Sequence, residues 1–562
     1  LESGTPALEG RLEAALEFWR ADPEALEMRW LGLLDPRDLE PGPRLRVVAE
    51  GEGDVDDLVE ALEAGFPEVE IEALAAGRAQ LLVSLPELEA LARAGFLTRV
   101  RVPMRPALPA EGRRPGSPSS KAGGVLTEGY AAMFRRDWHA EGLLGGGMRI
   151  AVLDVGFAGY RDRLGDELPA EVHTSFRSPY TASEHGTAVA EVLHDIAPDA
   201  ALDLYTFSTD VEFEDALTEI ASTDADIVNG SIGFDNVWPT DGSSPMTLAV
   251  DALVEDSDIP YVAAAGNEND KYRVGTLGVE ADGQVQRVTV DGLSEIWCAT
   301  WGGIAEVSFR WDDPIGRSAN DIDLYVYDAN GNVCGSSTER QSGRGYPYES
   351  VSCRAGTNWA VAIPVLRGGD VAGLTGFLYS PNGVRVTQLS GERNLTLPAD
   401  TRRGVSVGAV EVTQTDVISY YSSRGPTDDG RQKPDLVAPS GVSTSVYGQG
   451  AFLGTSASTP HATGVATLAL EASRGDFDAG ELLEWMRGAS VDIGDEGSDA
   501  VSGAGFLSPS RIPWGSCGCE AGPALGKNGF LSRSLLPLLG LAALLQRKRN
   551  VGGGRRRKEP LP

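Results

Sequence analysis

A doubly wound α/β fold on a parallel sheet, preceded by a small α+β domain and interrupted by a β-sandwich, is the architecture this sequence predicts. Three observations carry it. Apolar strand patterns alternate with helix patterns from Gly145 to Ala264. That rhythm stops near Lys271 and gives way to short strands of period two, then resumes near Gly404. Between residues 44 and 104 the segments follow a β-α-β-β-α-β order, the ferredoxin-like plan.

In the small domain, Leu45 to Ala49 reads as a strand, and Val55 to Ala64 as an amphipathic helix with Val55, Leu58, Val59 and Leu62 on one face. Strands at Val69–Leu74 and Ala79–Ser84, a helix at Pro86–Ala94 and a strand at Leu97–Val102 complete it. Residues 1–43 read as a separate helical extension, centred on Leu8 to Leu34. Residues 105–124 form a linker rich in Pro, Gly, Ser and Arg, with Arg113-Arg114-Pro115-Gly116-Ser117 at its centre. Such a segment is exposed and easily cut.

The large domain begins with residues 125–274. Strands are expected at Met148–Asp154, Ala201–Thr206, Asp226–Asn229 and Pro260–Ala264, with helices at His185–Ile196, Glu212–Ala221 and Met246–Asp256. Continuous apolar strands between helices mark a parallel sheet covered on both faces, whose functional crevice lies at the carboxyl ends of its strands. Asp154, the stretch Ser231-Ile232-Gly233 and Asn267 all follow strand ends. Residues 275–395 carry the strands Val307–Trp311, Asp323–Tyr327 and Trp359–Ile363, with turns such as Asp328-Ala329-Asn330-Gly331. Residues 396–510 return to the first pattern and lead to Gly454-Thr455-Ser456-Ala457-Ser458-Thr459-Pro460-His461, which opens an apolar helix. Residues 511–562 form a tail. It holds Cys517-Gly518-Cys519, an apolar run from Ser534 to Leu545 and Arg547-Lys548-Arg549. The run is shorter than the roughly 20 residues a spanning helix needs.

A chain of 562 residues exceeds one core, and its 41% hydrophobic and 23% charged content is that of a folded protein. The formal charge of -34 excludes nucleic acid as a partner and suits an extracellular protein. A leader removed before Leu1 fits that expectation. The histidines have no His-x-x-x-His spacing and the cysteines are scattered, so no zinc site is predicted. In an oxidising compartment Cys334 and Cys353 are placed to close a disulfide, leaving Cys298 single. A structural calcium ion stays open, with Asp312, Asp313, Asp321 and Asp323 as the oxygen ligands it would use.

A serine nucleophile needs a base, and the base needs an anion to hold its tautomer. Asp154, His185 and Ser456 supply the three in that order. The surrounding segments Ile150–Asp154, Glu184-His185-Gly186-Thr187, Ala263-Ala264-Ala265-Gly266-Asn267, Lys433–Pro439 and Gly454-Thr455-Ser456 resemble those of the subtilisin-like serine proteases, the subtilases. The resemblance implies a sheet of subtilisin type and a serine endopeptidase working through an acyl-enzyme on protein or peptide substrates. Asp154, His185 and Ser456 would be the triad. The Asn267 amide and the Ser456 N–H would form the oxyanion hole, and Ser231, Ile232 and Gly233 the strand that pairs with substrate. No cofactor is required.

By the same resemblance the α+β domain is an inhibitory prodomain, the chain's own partner, released by cleavage in the linker. The insert, which follows Asn267, is expected near the crevice, where it restricts or selects substrates. On Asp321-Ile322-Asp323-Leu324-Tyr325 and Gly331 it resembles β-sandwich modules of secreted bacterial proteases. The tail resembles the sorting tails of myxobacterial surface proteins, which implies a bacterial enzyme, secreted or held at the cell envelope or membrane. Val155, Ala188 and Glu191 depart from the residues usual beside the aspartate and histidine, and Ala457 stands where many relatives carry methionine. His461 is expected to be structural, His139, His173 and His194 to be surface or packing residues, and Ser458 not to be the nucleophile. The competing class is a catalytically silent surface protein, which would have no need to keep Asp154, His185, Asn267 and Ser456 together.

Overall fold

The computed structural model describes residues 7–9, 12, 15, 16, 19, 20, 39, 40, 44–106, 124–177, 183–343, 345–385, 391–474 and 476–513. The centre of the predicted linker and residues 514–562 of the predicted tail lie outside them.

The N-terminal sheet contains β1 (Ala7–Leu8), β2 (Leu39–Glu40), β3 (Arg44–Gly51), β4 (Glu70–Ala75), β5 (Arg78–Ser84) and β6 (Leu97–Arg101). Their order is β1-β6-β3-β5-β4, with β2 beside β3. Helix α1 (Val55–Gly65) is capped by the Asp54 side chain and buries Leu58, Val59 and Leu62. Helix α2 (Leu85–Leu91) starts at a reciprocal capping box between Ser84 and Glu87. It ends three residues before the Ala94 expected from the sequence, because Ala92 already closes it. Of the first 43 residues, several of the described ones join this body. Ala7–Leu8 pairs in parallel with β6, and Leu12, Ala15 and Leu16 are buried in the core of Leu45, Val47 and Leu81.

After the short helix α3 (Gly129–Met133) comes the central sheet. Its strands begin with β7 (Arg149–Asp154), β8 (His173–Phe176), β9 (Ala201–Thr206), β10 (Ile227–Gly230) and β11 (Tyr261–Ala264). Between them lie α4 (His185–Ile196), α5 (Asp210–Ile220) and α6 (Pro245–Ser257). Helix α5 starts two residues earlier than expected because the Thr209 side chain caps it, accepting from Glu212 N–H.

A second antiparallel body is then inserted. It contains β12 (Tyr272–Asp282), β13 (Val285–Val290), β14 (Ile296–Ala299), β15 (Ile304–Trp311) and β16 (Asp321–Tyr327). It continues with β17 (Val333–Ser337), β18 (Tyr348–Arg354), β19 (Trp359–Gly368), β20 (Thr375–Tyr379) and β21 (Val384–Arg385). Strand β12 turns the sheet. Its first half, Tyr272–Thr276, pairs with β20 and its second half, Leu277–Asp282, with β13. Phe309, Trp311, Leu324 and Leu366 fill the space enclosed. The Cys334–Cys353 disulfide links β17 to β18, the two ends of the strand order, and Cys298 is free and buried.

The chain returns to the central sheet with β22 (Val405–Glu411), β23 (Gln414–Ile418) and β24 (Leu436–Ser440), then forms the hairpin β25 (Val442–Thr444) and β26 (Gly448–Phe452). Helices α7 (Thr455–Ser473) and α8 (Ala479–Gly488) and the short strands β27 (Ser490–Val491) and β28 (Phe506–Leu507) finish it. The central order runs β27-β28-β24-β22-β11-β10-β7-β9-β8. The run from β24 to β8 is parallel throughout. Along β7, Ile150 and Val152 join the core under α4 and α7, while Ala151 and Leu153 join the core under α5 and α6. The alternation shows both faces of the sheet covered. Strand order reverses at β7, so the crevice favoured by such a sheet opens where Asp154 ends β7 and Ser231 follows β10.

Candidate active site

Asp154 is fully buried at the end of β7, and its Oδ2 lies 2.8 Å from His185 Nδ1. Its other oxygen accepts from the Val155 N–H at 2.8 Å, so the carboxylate cannot swing away. The approach depends on Gly186, where an added Cβ would stand 2.8 Å from the Asp154 Cβ. Glycine lets the first turn of α4 press against the end of β7 and delivers His185 to the carboxylate. With Nδ1 as donor, the neutral ring presents Nε2 as an acceptor. That Nε2 is buried and has no hydrogen-bond partner among the described residues.

Ser456 lies in the first turn of α7, whose N-cap is Gly454 at φ 104°, a region that favours glycine. A Cβ at Gly454 would also sit 3.0 Å from Asn267 Nδ2. The Ser456 hydroxyl donates to the Ser231 carbonyl at 3.0 Å and not to His185. The Ser231 hydroxyl in turn donates to the Ser456 carbonyl at 3.2 Å. Pro460 explains that second bond: it has no N–H to give the carbonyl four residues earlier, and Ser231 takes the place. The structure thus joins Asp154 to His185 and Ser456 to Ser231, with no hydrogen bond between the serine hydroxyl and the imidazole.

Asn267 follows β11, and its Oδ1 accepts from the Thr455 N–H at 2.8 Å. This fixes the amide and leaves Nδ2 without a hydrogen bond among the described residues. The Ser456 N–H is likewise unpaired there, one of the free donors at a helix start. Ser231 and Ile232 are buried, and Ile232 packs in the core with Phe207, Phe234 and Leu397. Phe234 pairs with Leu397 through two backbone bonds, so the segment after Gly233 is already occupied on one side.

Sequence reasoning missed Thr455 as the residue that orients Asn267, and Ser231 as the partner of both Ser456 oxygens. The Thr-Ser pair and the proline were the available signals. Glu191 is tied to the loop after β25, accepting from Ser445 N–H and Oγ at 2.6 Å each and facing Arg163 at 2.9 Å. His461 is buried, with Nδ1 2.7 Å from the Ala457 carbonyl and Nε2 2.8 Å from Thr127 Oγ1. Burial lowers its pKa to about 4, so it is neutral at pH 7. His139 stacks on Tyr130, the exposed His173 meets the edge of Tyr205, and His194 is partly buried. Ser458 is buried with its hydroxyl toward the Gly454 carbonyl.

The four aspartates considered for calcium do not gather. Asp313 accepts from Ser318 and Asn320, and Asp323 is held by Arg367 at 2.5 Å. Among the described residues no group of three or more His, Cys, Asp or Glu could hold a metal ion, and no helix is long and apolar enough to cross a membrane.

Residues 145–505 match the model of the subtilase family, peptidase S8, and the chain belongs to that family of serine proteases. Among solved structures it is similar to the CspB protease of Clostridium perfringens at 17% identity, over 68% of this chain and 97% of that one, with a TM-score of 0.48. It is also similar to the epidermin leader peptide processing serine protease of Staphylococcus aureus at 13% identity, over 83% and 96% of the two chains, with a TM-score of 0.46. The prenylagaramide maturation protease PagA matches at 14% identity, over 66% and 95%, with a TM-score of 0.36.

Proposed function

We propose that this chain is a serine endopeptidase made as a zymogen, with Ser456 as nucleophile, His185 as general base and Asp154 as its orienting anion. The hydrogen bond of 2.8 Å between Asp154 and His185, which leaves a buried, unpartnered Nε2, is the observation that carries the reading. In this mechanism the Ser456 hydroxyl leaves the Ser231 carbonyl and donates to that nitrogen. Ser456 Oγ attacks the scissile carbonyl and its proton passes to Nε2. The new oxyanion takes hydrogen bonds from the Ser456 N–H and Asn267 Nδ2. His185 then returns the proton to the leaving amine, and water, deprotonated by the same imidazole, cleaves the ester and frees Ser456.

Residues 44–104 act as the inhibitory prodomain. The Met104 N–H donates to Asp210 Oδ1 at 2.9 Å, the Asp210 N–H donates to the Met104 carbonyl at 3.0 Å, and Arg105 donates to the Ser208 carbonyl at 3.1 Å. Met104 also packs on the core that contains Ile232. These contacts support a segment lying along the substrate crevice, with Ser231, Ile232 and Gly233 as the substrate strand once it leaves. Cleavage follows in the linker. The antiparallel insert is read as the β-sandwich module, and the tail as the element that keeps the secreted enzyme at the cell surface.

A fluorophosphonate probe tests the assignment. It is expected to label the processed protein and to fail on Ser456→Ala. Labelling of that variant, or of neither protein after proteolytic removal of the N-terminal domain, would reject the assignment.

A further inference from the structure

The N-terminal sheet has a second face, opposite its own core, and that face is covered. Val48, Ala73 and Ala75 close on Val211 of α5. Arg78 pairs with Glu214 at 2.5 Å, Arg101 with Asp210 at 2.6 Å, and Gln80 exchanges hydrogen bonds with Glu212 and Thr209. All of these partners belong to α5 or, in Thr209, to its N-cap. One side chain on the same strand goes elsewhere. Arg99, two residues before Arg101 and so on the same side of β6, turns to the insert.

Tyr346, in the loop between β17 and β18, receives it. The Arg99 guanidinium lies face-on over the Tyr346 ring, 3.7 Å from its centre, and reaches Glu339 at 3.4 Å. Arg99 is 5% exposed, and its Nε and Nη1 are buried without hydrogen bonds, as a guanidinium stacked flat on a ring leaves them. The Tyr346 hydroxyl donates to Glu50 at 3.2 Å, and Glu50 also takes Arg101 Nε at 2.6 Å. Burial first, then the Glu50 charge, pushes the Tyr346 phenol up to about 12, so it remains a donor at any physiological pH. The edge of the ring meets Trp238 of the protease body.

The described residues of the receiving loop are also held from within the insert. Gln341 accepts from the Ile322 N–H at 3.1 Å and donates to Glu349 at 2.7 Å, and the Cys334–Cys353 bridge ties the two strands that carry the loop. A loop braced in this way loses less conformational entropy on binding its partner. Arg99 and Arg101 are buried charges whose compensation is divided between two bodies, the helix α5 and the insert. Departure of the N-terminal domain must break both sets.

We infer that the insert is a second binding site for the N-terminal domain, receiving its Arg99–Glu50–Arg101 edge on Tyr346 and Glu339, and that it sets how long the cleaved domain stays on the protease. The inference rests on the reading of residues 44–104 as a cleaved inhibitor. It gives the insert a regulatory task at the same active site.

The test uses the full chain. Wild type, Tyr346→Ala, Tyr346→Phe and Glu339→Gln are allowed to process, and release of the N-terminal fragment is followed by size exclusion and mass spectrometry. Fluorophosphonate labelling is timed in parallel. Loss of the stacked ring and its charged hydrogen bond is expected to speed release and labelling by about 10- to 100-fold, and loss of the hydroxyl alone by about tenfold. The phenylalanine variant keeps the packing, so it decides the question if the alanine variant fails to fold. Unchanged release in Tyr346→Phe and Glu339→Gln would overturn the inference. A second measurement is independent of catalysis. In the uncut Ser456→Ala chain, Tyr346→Phe is expected to lower hydrogen-exchange protection across residues 97–101. Unchanged protection there overturns the proposed contact, whereas lost protection there together with a wild-type chain that never processes overturns only the zymogen reading.

Discussion

Replacing Asp154 by Asn changes one atom of a buried side chain and should remove most of the catalysis. The carboxylate has two fixed obligations, accepting from Val155 N–H and from His185 Nδ1 at 2.8 Å each. An asparagine can meet only one. If its carbonyl faces Val155, its NH₂ faces Nδ1, which must then accept, and the ring proton moves to Nε2. If it turns the other way, the NH₂ opposes the Val155 N–H and leaves that buried donor unsatisfied, at a cost of about 1–3 kcal/mol. The first orientation is preferred, and it deprives Ser456 of its proton acceptor. A triad held in the wrong tautomer loses about 10⁴-fold in kcat, equivalent to about 5 kcal/mol of barrier. Asp154 is fully buried behind His185, so KM should hold. The assay is turnover of a chromogenic peptide at neutral pH after the N-terminal domain is removed, with circular dichroism as the folding control. A folded variant within tenfold of wild type would refute the reasoning.

The other predictions concern the neighbouring groups. Asn267→Ala is expected to lower kcat by about 100- to 1000-fold with little change in KM, the usual consequence of losing one oxyanion donor; near-normal turnover would show that Nδ2 does not face the reacting oxygen. Ala457, buried beside Ser456, has no thioether to oxidise, so activity should persist in millimolar peroxide, and rapid loss counts against this. Burial, reinforced by the charges of Glu167, Glu191 and Glu128, raises the Asp195 pKa from 3.8 to about 8. The folded state therefore holds a proton that the unfolded state has lost, and stability falls as pH rises from about 4 to 8. Asp195→Asn keeps an acceptor for the Thr127 N–H, now 2.7 Å away, and should raise Tm over wild type increasingly between pH 5 and 8.5. A gap that stays flat across that range would contradict the assignment.

Much of the central domain could be read directly from the chain. The apolar runs that became β7, β9 and β11 carry their own period, and the helix from His185 to Ile196 was legible to the residue. Helix ends were less so, because capping overrides periodicity: Thr209 started α5 early, and the Ser84–Glu87 box placed α2 at Leu85. The pairing of Ala7–Leu8 with β6 could not be read from the chain. A two-residue strand such as Ala7–Leu8 has no pattern of its own and exists only because β6 offers an edge.

Local sequence determined which groups are present: an aspartate at a strand end, a histidine opening a helix and a serine behind a glycine-led turn, along with the elements that carry them. The tertiary structure alone decided where those groups point. The Ser456 hydroxyl rests on Ser231, Asn267 is steadied by Thr455, and Arg99 stacks on Tyr346 of the insert. Such contacts join residues hundreds of positions apart. Their partners are selected by burial and by the need to satisfy each enclosed polar group, conditions that exist only after the chain has packed.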